Sequence, residues 1–150
     1  MTAWILSLIG LVIYAHLAEY AAHRWMMHRP IFPRSWFYRE HAIEHHGRRR
    51  NDINIEISPL TVALLAAPAL SACAWLGPWW LAAWVVGVHA YACAWTQIHK
   101  AHHDLGAAWV KRLPGYAYSR RAHLRHHDQP HRNFGTVFPW TDYLFRTAAH

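Results

Sequence analysis

Cysteine is nearly absent. The chain carries two, Cys73 and Cys93, both inside apolar stretches and in no CxxC arrangement. That excludes a disulfide framework and leaves no thiolate set for structural zinc or an iron–sulfur cluster, so the two read as small buried hydrophobes. Basic residues are missing from two long stretches, Met1 to His23 and Asn51 to His99, and all fifteen Lys and Arg fall in Arg24–Arg50 and Lys100–Arg146. The first apolar stretch lacks the positive start and small-residue cleavage site of a signal peptide, so it is expected to remain as a membrane helix. No flavin, haem or iron–sulfur motif is present, so any redox chemistry needs electrons from outside.

What is present is divided between two characters. The chain is 54% hydrophobic with ten Trp, yet it has fifteen His and a net charge of +7. Apolar blocks alternating with basic ones describe an integral membrane protein. The basic excess suits anionic headgroups and speaks against a nucleic-acid partner, because such apolar blocks have no place in a soluble nucleic-acid binder. The expected fold is all-α: one domain over 1–150, a membrane helical bundle with three spans at about 2–22, 58–75 and 79–98, and a histidine-rich helical cap. Leu76-Gly77-Pro78 is the turn of a hairpin between spans two and three. Pro30 and Pro33 suggest the end of the first helix, and residues 51–57 a bridge back to the bilayer. Residues 106–118 are too short and charged to span, and read as an interfacial loop. This count puts every Lys and Arg on one face, which the positive-inside rule makes cytoplasmic, with the N-terminus outside.

The histidines collect on that face. His23 and His28 flank Arg-Trp-Met-Met; His41, His45 and His46 form the second box (23–46 holds both); His99, His102 and His103 the third; His123, His126 and His127 the last. In the last box i,i+3 and i,i+4 spacing lets one helical turn present three imidazoles towards one point. In the second, His41 and His45 share a face and His46 is displaced. In the first, i,i+5 spacing puts the rings about 140° apart on an ideal helix, so they meet at one metal only if the helix distorts. Imidazole is the commonest side-chain ligand for iron, copper and zinc, and about ten of them suit two ions. Glu40, Glu44, Asp104 and Asp128 adjoin the boxes and are expected to orient histidines. Glu19 is placed to do the same for His23, one turn on. The roles of His16, His89 and His131 are open.

The order HxxxxH, HxxxHH, HxxHH, HxxHH, followed by Asn133-Phe-Gly135 and Trp140-Thr-Asp142-Tyr-Leu-Phe145-Arg-Thr147, resembles the fatty acid hydroxylase / sterol desaturase superfamily of membrane di-iron oxygenases. The resemblance covers about His23 to Thr147. It implies that His23, His28, His41, His45, His46, His99, His103, His123, His126 and His127 bind metal, with His102 an alternative in the third box. Two iron ions are the implied cofactor, zinc the alternative. The implied activity is O₂-dependent hydroxylation of a lipid, whether fatty acyl, sphingoid or sterol, with a ferredoxin or cytochrome as external donor. Desaturation and carotenoid hydroxylation share the site; the first box resembles that of bacterial carotenoid hydroxylases, whereas the third lacks their usual form. Larger members have more spans, and the short chain is compatible with a homodimer. A different class, a non-catalytic metal- or haem-binding membrane protein with His16 and His89 as axial ligands, stays open on the sequence.

Overall fold

The computed structural model describes residues 2–29, 35–51 and 59–149. The described residues are helical or irregular, with no strand among them. The inferred helix stop at Pro30 and Pro33 and the bridge over 52–57 lie outside them.

Helix α1 spans Thr2–Ala21 and continues without a break as a wider, π-helical segment, Ala22–Met27. It is apolar all round, the composition of a helix surrounded by protein or lipid. Leu11, Ala15, His16 and Tyr20 are buried against the rest of the chain, while Ile5, Leu6, Leu8, Ile9 and Ile13 point outward. Residues Trp4–Met27 are long and apolar enough to cross a membrane. Helix α2, Trp36–Tyr38, starts where the Ser35 hydroxyl accepts from the Tyr38 amide at 3.3 Å, and passes into a second π-helical segment, Arg39–Gly47.

Helices α3, Pro59–Leu76, and α4, Pro78–His102, form the expected hairpin. Its turn needs Gly77, whose φ of 114° favours glycine, and Pro78 presets the first turn of α4. Sequence patterning suggested three comparable spans, but among the described residues only Trp4–Met27 meets the length and hydropathy of one. The described apolar part of α3 is the shorter Leu65–Leu76, and α4 runs on into the polar third box. Leu11, Ala66 and Val88 pack α1, α3 and α4 together. Trp4 stacks on Trp80 at 4.1 Å, the Trp84 indole donates to Ser7 Oγ at 2.8 Å, and Tyr14 donates to the Leu65 carbonyl at 2.7 Å. The first two pairs, whose numbers rise together, make α1 and α4 parallel.

A 3₁₀ turn at Ala108–Arg112 and helix α5, Tyr116–Asp128, fold over the end of α4. Val110 and Tyr116 bury Ala101, and the Tyr116 hydroxyl donates to the Ala101 carbonyl at 2.7 Å. Helix α6, Trp140–Leu144, closes the chain.

Candidate metal centre

The first two boxes work because their helices are wound wide. In an α-helix residues five apart diverge; a π-helix, with i→i+5 hydrogen bonds, brings them back into line. Both boxes lie at such segments. His23 and His28 therefore approach to 5.1 Å between ring centroids, and the Nε2 atoms of His41 and His46 to 3.1 Å. This corrects the pairing read from α-helical geometry: His46, not His45, joins His41.

Two groups result. His23, His28, His41, His46 and His126 form one; His45, His103, His123 and His127 the other; within each group the ligand nitrogens lie within 4.8 Å of one another. The last box serves both. His123 and His127 share a face of α5, with Nε2 atoms 3.1 Å apart, while His126 turns to the first group. One turn of α5 thus addresses two points rather than the single point expected. His99 and His102 join neither group. His99 stacks on Trp95 and sits at the edge of the second group, its ring 4.8 Å from that of His123. His102 lies 3.1 Å from Ser119 Oγ, whose hydroxyl donates to the Tyr116 carbonyl, so the histidine is the donor in that pair.

Backbone carbonyls orient three of the rings. His23 Nδ1 donates to Phe134 O at 2.6 Å, His126 Nδ1 to Arg132 O at 2.6 Å and His45 Nδ1 to Arg50 O at 3.2 Å. A proton held on Nδ1 leaves the lone pair on Nε2, the atom facing the group. The carboxylates expected in this role are elsewhere. Glu40 pairs with Arg39, Glu44 with Arg48 and Arg50, Asp104 with Lys111 and Arg120, and Asp128 with Arg49. Each faces a flexible cation at the surface, which competes with any imidazole. Glu19 does not touch His23 either. It accepts from the Tyr91 hydroxyl and from the amides of Thr136 (2.5 Å) and Val137 (3.3 Å), tying α1 to α4 and to the loop before α6. His16 and His89 bond carbonyls of their own helices, Val12 and Val85, as helix-internal contacts. His131 is exposed.

The donor set fits metal ions. Nearest Nε2 pairs are 2.8, 3.1 and 2.9 Å apart in the first group and 2.9 and 3.1 Å in the second. Metal–imidazole bonds of about 2.1 Å give neighbouring nitrogens about 3.0 Å apart at right angles and about 3.4 Å apart in a tetrahedron. The shortest spacings are close to those of nitrogens at right angles round one ion. Burial, with the neighbouring imidazoles adding to it, lowers the basicity of these rings. His28 is brought to about 2, His127 to about 3 and His103 to about 4, while His41, His46, His123 and His126 lie well below the usual range. Near neutrality all present lone pairs rather than protons.

The tail motif, which the sequence offered only as a resemblance, proves to be a clamp. Asp142, 0% exposed, accepts from the amides of Phe134 (2.7 Å) and Gly135 (2.8 Å) and from the Thr147 hydroxyl (2.7 Å). Tyr20 on α1 meets the same hydroxyl at 3.0 Å. Asn133 holds a left-handed φ of 53°, and a Cβ on Gly135 would lie 2.8 Å from Pro139 Cα. The clamp fixes the Phe134 carbonyl, and with it the His23 ring. An Asn-Phe-Gly turn followed by an acid was the available signal. An apolar groove, of the kind that Ala-rich spans were expected to leave between them, lies between α1, α3 and α4, walled by side chains such as Ala18, Met26, Ala66 and Ala92. It reaches His23.

Two curated relatives are similar over most of the chain. A beta-carotene hydroxylase from Paracoccus sp. (strain N81106 / MBIC 01143) is 29% identical over 134 residues, 81% of this chain and 73% of the relative. A second, from Paracoccus sp. (strain PC1), is 28% identical over 128 residues with the same shares. No solved structure matches. The profile of the family described as fatty acid hydroxylase matches residues 8–147. With its four histidine boxes, the clamp behind them and that match over nearly the whole length, the chain belongs to the fatty acid hydroxylase family.

Proposed function

We propose that the protein is a membrane di-iron monooxygenase that hydroxylates a C–H bond of a lipid with O₂ and electrons from a separate carrier. The observation that carries this reading is the pairing of two imidazole groups at metal-ligand spacing with an apolar groove that ends at one of their members, His23. His23, His28, His41, His46 and His126 would hold one ion, and His45, His103, His123 and His127 the other, with His99 and His102 beside the second. Bound iron would supply the activation of O₂ that hydroxylation of an unactivated C–H needs. The five histidines of the first group exceed the four positions of tetrahedral zinc, which favours iron there.

The chain's own part is placement. Carbonyl-anchored rings keep their lone pairs aimed without reorganisation. The groove between α1, α3 and α4 takes the apolar body of the substrate, lets one carbon reach the ions and keeps water away. In the bilayer, α1, α3 and α4 are the three spans, with the boxes on the cytoplasmic face and the N-terminus outside. The excess of Lys and Arg on the face of the boxes would suit an acidic electron carrier.

The test is lipid mass spectrometry on cells making the intact chain or His126→Ala, with iron and zinc counted in both purified proteins. A lipid gaining one oxygen only with the intact chain supports hydroxylation. Loss of two hydrogens makes the enzyme a desaturase. No His126-dependent change, with a competent reductant present, refutes lipid oxidation.

A further inference from the structure

Helix α5 has two working faces. His123, His126 and His127 belong to the metal groups. Tyr118, Arg121, Ala122 and Arg125, three and four residues apart, share a different face and wall a small cleft with Pro139 and Tyr143. The cleft is basic. Among the described residues neither Arg121 nor Arg125 pairs with a carboxylate, whereas Arg48, Arg49 and Arg120 each have one. Arg125 donates from Nη1 to the carbonyl of Ala149, a wall residue, at 3.3 Å. Tyr118 and Tyr143 meet hydroxyl to hydroxyl. Burial first, and then that bond to Tyr143, raises the Tyr118 phenol to about 12; the Arg121 charge pulls it down, so the guanidinium stands near enough to act on it. Asp142, whose charge also acts on Tyr118, is buried and committed to Phe134, Gly135 and Thr147. Two guanidiniums without a carboxylate, beside a protonated phenol, suit an oxyanion, and phosphate above all.

An apolar cavity adjoins the cleft. Val12 and His16 of α1, Ile98 of α4, Leu113, Phe138 and Trp140 are among its walls. It uses Val12 and His16 of α1, where the groove uses Ala15, Ala18 and Ala22. No member of either metal group lines it, whereas the groove reaches His23. Residues 138–140 form the partition: Phe138 and Trp140 line the cavity, and Pro139 lines the cleft. Across that partition the rings of Tyr118 and Phe138 are 6.2 Å apart. Leu113 and Phe138 are exposed, so the apolar lining continues to the outer surface.

We infer that cleft and cavity together bind one anionic phospholipid, separate from the lipid that reacts: its phosphate lies at Arg121 and Arg125, and an acyl chain lies in the cavity behind Phe138. This goes beyond the hydroxylase reading and needs only the membrane placement, which puts α5, just past the end of α4, at the level of the headgroups. A free phosphate would meet the arginines and leave the apolar cavity unused. A neutral lipid would fill the cavity and leave two cations without counter-charge. An acidic protein would meet the arginines but offers nothing to the cavity. An amphiphile with a phosphate beside its chains meets both.

The experiment titrates the full-length, metal-loaded protein, delipidated in detergent, and counts bound lipid by native mass spectrometry. The probes are dioleoylphosphatidylglycerol, dihexanoylphosphatidylglycerol, dioleoylphosphatidylcholine, dioleoylglycerol and inorganic phosphate. Dioleoylphosphatidylglycerol is expected to bind as one retained copy, about tenfold more tightly than the choline lipid or the diacylglycerol, with the preference shrinking as salt rises. The short-chain lipid and inorganic phosphate are expected to bind at least about tenfold more weakly, because the cavity gains little from them. Arg121→Gln with Arg125→Gln should erase the headgroup preference and leave the metal content unchanged. Four results overturn the inference: no headgroup preference, short-chain lipid or phosphate bound as tightly as the long-chain lipid, a preference that survives the double variant, or a double variant that keeps the lipid and instead loses an acidic ferredoxin. The first two are read on the intact protein and hold even if the variant fails to fold. No arm depends on turnover, so failure of the hydroxylase reading and failure of this site are told apart.

Discussion

Replacing Asp142 by Asn tests the clamp behind the metal centre. The carboxylate accepts two backbone amides and one hydroxyl from Phe134, Gly135 and Thr147, at 2.7–2.8 Å. An amide at the same place has one acceptor oxygen, so its NH₂ must face the amide of either Phe134 or Gly135. One charge-assisted bond disappears and one buried N–H is orphaned, a loss of about 3–5 kcal/mol. Burial already raises the Asp142 carboxyl above its usual range, so removing its charge relieves part of the desolvation and leaves a net loss of about 2–4 kcal/mol. For a domain of this size that is on the order of 10 °C in melting midpoint. The assay is a thermal scan at fixed rate in detergent, with metal counted before heating. The Phe134 carbonyl anchors His23, so Asp142→Asn should also lower occupancy of the first group. Thr147→Val keeps both amide bonds and should lose about 1 kcal/mol. If Asp142→Asn melts within a degree or two of the intact protein and holds the same metal, the clamp does not position His23.

Gly135→Ala is expected to destabilise by about 1–3 kcal/mol, because its Cβ would press on the Pro139 backbone at 2.8 Å; chemical denaturation of the detergent-solubilised protein measures it. Elemental analysis should find His46→Ala and His127→Ala each short of metal, whereas His89→Ala, whose ring only bonds the Val85 carbonyl, should carry the full load. Metal-free protein should lose stability as pH falls below about 6.5, where unfolded histidines gain protons that the buried rings refuse. His103 takes its proton only near pH 4 and His127 near 3, so the unfolded state binds more protons across that window, and melting midpoints should fall steadily from pH 7 to 5.

Much of the architecture was legible because composition carries it. The alternation of apolar and basic blocks gave the helical order, and Gly77-Pro78 gave the hairpin. The boxes named eleven histidines, of which the structure gathers nine into two groups. What the spacing could not reveal was winding. On α-helical geometry His41 pairs with His45; one wider turn replaces that partner with His46, and nothing in Arg39–Gly47 announces it except the i,i+5 histidines themselves. The carboxylates were misjudged for a different reason. Adjacency in sequence put Glu44 and Asp104 near imidazoles, but exposed arginines and lysines were nearer in space. The anchors actually used are backbone carbonyls, which every residue has and no pattern distinguishes. The third box, unlike that of carotenoid hydroxylases, pointed away from a carotenoid substrate, yet the curated relatives bear that activity in their names. Similarity over the whole chain and detail within one box report different things.

The division of one turn of α5 between two groups has a thermodynamic result. His123 and His127 face one group and His126 the other, on a single helix, so on the proposed function one helix would serve two ions. Whatever free energy the first ion contributes to fixing the pitch and rotation of that helix is no longer owed by the second. Occupancies linked in this way are reciprocal: each ion raises the affinity of the other by the same factor. The pair should therefore fill together over a narrow range of metal concentration, and half-loaded protein should be scarce.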